Sequence, residues 1–152
     1  MNIVKNINQF NEKYVYYCDP INNNIINDGY FIRLIYSTEY FVLNGINLFI
    51  SFNDVLYEKY YNKYKCIFNI NNNKELLEKI KLIEENILKN ANITNKIPQY
   101  KIYEQLNNGN IKFFSDNIEK INNNYFMLKI SGLWERENQY GVTYKFIKIN
   151  NC

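Results

Sequence analysis

Apolar and polar residues alternate with a period of two through most of this chain, and that period predicts strands. Lys13 to Cys18 reads as a short aromatic strand, and Tyr30 to Ser37 follows it after an Asn-rich loop containing Asp28-Gly29. Next, Tyr40-Phe41-Val42-Leu43 and Ile46 to Ile50 flank Asn44-Gly45. Asn-Gly between two apolar runs is the signature of a type I′ hairpin, whose central residues both need positive φ. Tyr64 to Ile70 reads as a further strand. The period then changes: between Lys74 and Lys89, Leu76, Ile80, Ile83 and Ile87 recur at helical spacing, while Glu75, Lys79, Glu85 and Lys89 lie away from that stripe. Asn72 followed three residues later by Glu75 predicts a capping box at the helix start.

Beyond the helix, Tyr100 to Gln105 and Ile111 to Phe114 read as strands joined through Asn108-Gly109, followed by a short helix around Asn117 to Ile121 with Asp116 and Glu119 as cap partners. A second hairpin closes the chain, pairing Tyr125 to Trp134 with Tyr140 to Ile149 across Glu135-Arg136-Glu137-Asn138-Gln139. Phe126, Leu128 and Ile130 alternate with Tyr125, Met127, Lys129 and Ser131, and Val142, Tyr144 and Phe146 with Thr143, Lys145 and Ile147. The expected fold is mainly β (α+β): an OB-like Greek-key barrel or strongly bent antiparallel sheet with one main helix and one short helix, an antiparallel sandwich being the alternative. No repeat, charge block or linker interrupts the pattern, so residues 1–152 read as a single domain.

Composition narrows the chemistry. The chain has no histidine, and Cys18, Cys66 and Cys152 form no C-x-x-C pair, which removes the ordinary zinc ligand sets and the Ser-His and Cys-His nucleophile pairs. Neither phosphate-binding glycine pattern occurs. Glu135 and Glu137 sit on a hairpin loop, where charges are normally solvated, and Asn92-Ile93-Thr94 is a glycosylation sequon without a secretory context. The expectation is a binding protein and not an enzyme, with no cofactor and no metal. No stretch has the length and apolarity of a membrane span, and Met1 to Phe10 lacks a signal-peptide pattern, so the expected location is intracellular and cytoplasmic. Asparagine is abundant, at thirty residues against five glycines; with Ile, Lys, Tyr and Phe it fits a low-GC genome.

Aromatic residues make up 17% of the chain, enough to supply stacking platforms. Single-strand binders set such platforms among cations that hold the backbone. The densest interleaving is Tyr57 to Lys65, which contributes Lys59, Tyr60, Tyr61, Lys63, Tyr64 and Lys65; Phe31 with Arg33, and Lys129, Trp134, Tyr144 and Lys145, repeat the combination. A net charge of +3 and a pI near 8.6 place any phosphate track locally, because a strongly basic nucleic-acid domain has a pI above about 9. Aromatics also fill sheet cores and anchor protein interfaces. A protein–protein module with an exposed aromatic surface is therefore the competing reading.

The stretch Leu128-Lys129-Ile130-Ser131-Gly132-Leu133-Trp134-Glu135, with Tyr140-Gly141-Val142-Thr143-Tyr144-Lys145-Phe146 and the earlier Tyr30 to Ser37 and Val42 to Ile46, resembles the small single-stranded-DNA-binding proteins of large cytoplasmic DNA viruses. That resemblance implies an OB-like core that coats unwound DNA (RNA being the variant ligand) during viral replication in the infected-cell cytoplasm. It also implies contacts at Lys129, Trp134, Tyr144 and Lys145. The edges of the two hairpins and cooperative coating of a strand add self-association, or replication proteins, as further expected partners.

Overall fold

The computed structural model describes residues 5–22, 29–115 and 123–149; Asp28, Cys152 and the short helix expected at 117–121 with Asp116 and Glu119 lie outside them. The chain runs through β1 (Lys5–Asn6), β2 (Val15–Tyr17), β3 (Ile21–Asn22), β4 (Tyr30–Ser37), β5 (Val42–Asn44), β6 (Ile46–Ser51), β7 (Val55–Tyr60) and β8 (Lys63–Phe68). Helix α1 (Lys74–Asn90) follows, then β9 (Ile97–Gln99), helix α2 (Lys101–Asn107), β10 (Asn110–Phe113), β11 (Tyr125–Glu135) and β12 (Gln139–Lys148). The fold is mainly β, of the α+β class, and its larger sheet curls as a half-barrel.

Strand β11 organises that sheet. Along one edge it pairs with β12; along the other, Tyr125 to Ile130 pair with β6 and Gly132 to Glu135 with β4. The two halves meet at a bulge between Ile130 and Gly132, where the extra residue raises the local twist and lets one strand serve two neighbours. Short parallel pairings of β1 with β6 and β9 with β12 finish the edges. A second sheet has the order β10-β8-β7. Its inner face meets the inner face of the large sheet: Phe68 stacks on Phe52 with ring centroids 4.5 Å apart, and Phe113 meets Phe126 edge-on at 5.2 Å. Ile80, Ile87 and Leu88 of α1 and Ile102 and Leu106 of α2 complete the core.

The closing hairpin and β4 form as the alternation predicts, since their inward positions Ile32, Leu34, Phe126, Leu128, Ile130 and Val142 are buried. Asn44-Gly45 is not a hairpin turn. Only Gly45 has positive φ (83°), while Asn44 is still in β5, which pairs back onto β4. The chain turns a corner here onto β11. A Cβ at Gly45 would lie 2.9 Å from the Ile130 carbonyl oxygen, so the glycine is needed for close approach as well as for its dihedral.

The predicted strand at Lys13–Cys18 shortens to Val15–Tyr17, because the Asn11 side chain accepts the Lys13 N–H at 3.1 Å and holds Glu12–Tyr14 in a 3₁₀ turn. Val55–Tyr60, not anticipated, forms a hairpin with β8 through Tyr61, which has φ 54°.

Helix α1 begins where the periodicity puts it, but without a capping box. Buried Asn73 accepts the Asn53 N–H at 2.7 Å and donates to the Asn53 and Asn69 carbonyls, while Asn72 donates to Asp54. These asparagines tie the helix start to the β6–β7 loop. The buried stripe is rotated from the expected one and runs Leu77, Ile80, Glu84, Ile87, Leu88. Glu84 also explains why Tyr100–Gln105 is helix and not strand: its carboxylate accepts the N–H groups of Ile102 (2.9 Å) and Tyr103 (3.0 Å), capping α2 from another element. Gly109, at φ 80°, then ends that helix, donating its N–H to the Leu106 carbonyl.

Candidate nucleic-acid interface

Cross-strand register decides which of the twelve candidate residues share a surface. In the β10-β8-β7 sheet Tyr60 lies opposite Lys63, Glu58 opposite Lys65, and Lys65 opposite Lys112. Residues directly opposite one another share a face, so Leu56, Glu58, Tyr60, Lys63, Lys65 and Lys112 all stand on the side turned away from the core. Phe114, immediately after β10, joins them. The Lys112 ammonium lies 4.3 Å from the Tyr60 ring centroid, Lys65 lies 5.3 Å from the same ring, and Lys63 lies 5.0 Å from the Phe114 ring. Phe114 is 66% exposed and Tyr61, whose ring meets Tyr60 edge-on at 4.8 Å, is 84% exposed.

Four of the expected residues, Tyr60, Tyr61, Lys63 and Lys65, are thus brought together. Lys59 and Tyr64 are not. They lie opposite each other with the reverse parity, and the Tyr64 ring packs 6.1 Å from Phe113. Leu56, Lys112 and Phe114 were missed. The Lys112-Phe113-Phe114 run carried a cation–aromatic signal, but its strand lies far from β8 in sequence and its partner is not legible locally. Among the described residues the one acid of this face, Glu58, pairs with Lys65 at 3.8 Å. Three ammonium groups, one partly neutralised, therefore surround two exposed rings.

The remaining candidates fall mainly on the outer face of the large sheet. Phe31 lies opposite Trp134, Arg33 opposite Gly132, and Lys129 opposite Lys145. Both rings here are used by the sheet. Phe31 occupies the space a Cβ of Gly132 would take, and Trp134 lies 2.7 Å from the Cβ position of Gly141, with the Arg136 guanidinium 5.5 Å above its centroid. Each aromatic covers a cross-strand glycine, a device that holds register. Tyr144 turns the other way. Its hydroxyl donates to Gln105 Oε1 at 2.5 Å, its ring meets Phe146, and burial pushes its phenol up to about 12. Its hydroxyl and its ring are both engaged within the fold. Residues 128–146 are therefore the bulged, glycine-bearing part of the hairpin, where Gly132, Trp134, Gly141 and Tyr144 build the sheet.

Buried ionisable groups elsewhere are occupied by structure. Cys66 is fully buried, and burial raises its thiol to about 12, far above the range of a reactive thiolate. Burial is also the main cause lifting Tyr17 to about 12, and its hydroxyl donates to the Ile87 carbonyl at 2.7 Å. Among the described residues no group of three or more acidic or cysteine side chains could hold a metal ion, and no helix is long and apolar enough to cross a membrane. No family model, curated protein or solved structure matches the chain.

Proposed function

We propose that this protein binds single-stranded nucleic acid, DNA in the first instance, across the outer face of the β10-β8-β7 sheet. The observation that carries the reading is the placement of Tyr60 and Phe114 as exposed rings ringed by Lys63, Lys65 and Lys112. Exposed rings present a π-face to any base, and each stacked base contributes on the order of 1–3 kcal/mol. The three ammonium groups neutralise the backbone phosphates on either side. An open sheet leaves room for an extended strand, whereas a duplex keeps its bases from the rings. The chain acts by holding its ligand, with no catalytic step. The resemblance at Leu128–Glu135 and Gly141–Phe146 supports replication of a large cytoplasmic DNA virus as the setting.

A protein–protein module is the second reading, favoured by Leu56, which is 71% exposed beside the same rings. Salt separates the two, since counterion release makes nucleic-acid affinity fall steeply with ionic strength. The test is fluorescence anisotropy with a short labelled oligothymidylate at two salt concentrations. Tyr60→Ala and Phe114→Ala should each weaken binding by roughly 5- to 150-fold. Wild-type affinity unchanged by either substitution, or no binding at low salt, overturns the assignment.

A further inference from the structure

On the opposite side of the molecule the large sheet presents a second cationic surface of different composition. Because the inner faces of the two sheets meet through Phe52, Phe68, Phe113 and Phe126, their outer faces look away from each other. On the large sheet's outer face Lys129 and Lys145 stand directly opposite each other on β11 and β12, and Arg33 lies in the next row opposite Gly132. Among the described residues no strand position on this face is acidic: Glu135, the acid of β11, has the opposite parity beside Tyr30 and Tyr140 and pairs with Lys96 at 2.7 Å, while Asp19, Glu39 and Glu137 belong to loops. Among the described residues none of the three cations has an ion pair. Two like charges directly across a strand pair destabilise a sheet, and among the described residues no acid pairs with them. An anion would.

Around the Lys129–Lys145 pair the described residues offer no free platform for bases; an exposed ring, Tyr16, stands opposite Ile35, beyond Arg33. Phe31 and Trp134 lie on Gly132 and Gly141, the Arg136 guanidinium lies 5.5 Å from the Trp134 centroid, and Phe49 packs with Tyr125 at 5.1 Å. Its ligand must be dense in negative charge and hide its bases. A duplex does both, with one charge per about 1.7 Å of axis against about 3.4 Å for a single strand. We infer that Lys129, Lys145 and Arg33 form a second, independent face that binds the phosphate backbone of duplex nucleic acid, so that one molecule holds a single strand and a duplex at once.

The test uses a labelled duplex, a labelled oligothymidylate and energy transfer between them, with vesicles of acidic phospholipid as a further arm. Wild-type protein is expected to bind both oligonucleotides together and to produce transfer. Lys129→Glu with Lys145→Glu should weaken duplex binding at least tenfold and abolish transfer. Measured with duplex saturating the wild type, single-strand affinity should stay within about twofold. Lys129→Gln with Lys145→Gln, which relieves the opposed charges, should weaken duplex binding while keeping or raising Tm; a lower Tm refutes the idea that the pair is held against its own repulsion. Duplex binding that survives the charge reversal, duplex and single strand competing for one face, or uptake by vesicles with none by duplex each overturns the inference. Wild-type binding of duplex without single strand would instead refute the Tyr60 and Phe114 assignment, and with it simultaneous binding, while leaving the duplex face standing.

Discussion

Lys112→Gln is the sharpest probe of the single-strand face, because only the folded structure puts Lys112 there. Its ammonium lies over an exposed ring and has no ion pair among the described residues, so the substitution costs the fold about 0.5–1 kcal/mol at most and leaves the protein intact. Binding should respond through counterions. Each phosphate neutralised on a single strand contributes about 0.7 to the slope of log affinity against log salt, so Lys63, Lys65 and Lys112 together give a slope near −2. Between about 50 and about 200 mM salt, wild-type affinity should then fall roughly twentyfold. In Lys112→Gln the slope should flatten to about −1.4 and the fall should shrink to roughly sevenfold. Anisotropy titrations of a short oligothymidylate over that range read both numbers, with circular dichroism confirming the fold. An unchanged slope in a folded variant would mean that Lys112 touches no phosphate and that the face is assigned wrongly.

Trp134→Ala should act mainly on stability: the ring covers Gly141, so thermal denaturation should show a loss of about 2–3 kcal/mol while single-strand affinity changes less than in Tyr60→Ala. For Glu84, burial raises the carboxyl above its ordinary range despite the N–H bonds from Ile102 and Tyr103. The folded state therefore holds that proton more tightly than the unfolded chain. Stability from this group is fully present below the unfolded Glu value and declines as pH rises through the raised folded one. Glu84→Gln, which also loses one acceptor of the α2 cap, should be destabilised by about 1–3 kcal/mol at low pH. Its deficit against wild type should shrink as pH rises above the normal carboxylate range, as read by denaturant melts across pH.

Local pattern determined the elements whose character is set within a few residues. The alternation in Tyr30–Ser37 and in the closing hairpin, and the helical spacing from Lys74, stand in the structure at nearly the expected bounds, because one buried face imposes one period on its own segment. The mainly β class followed from those segments. Partners remote in sequence decided the rest. Tyr100–Gln105 is helix because a carboxylate on α1 caps it. Asn44-Gly45 is a corner because the Ile130 carbonyl lies against Gly45. The candidate contacts divided in the same way. Composition picked out the Tyr57–Lys65 segment, but whether a residue faces solvent beside another strand's lysine is a matter of register. Pairing β8 with β10 put Lys112 and Phe114 on the Tyr60 face, and pairing β11 with β12 turned Tyr144 inward. The sequence by itself carried the periods of its segments and the supply of rings and cations. Tertiary structure alone set which faces they share, since a shift of one residue in strand pairing moves every side chain to the other side of the sheet.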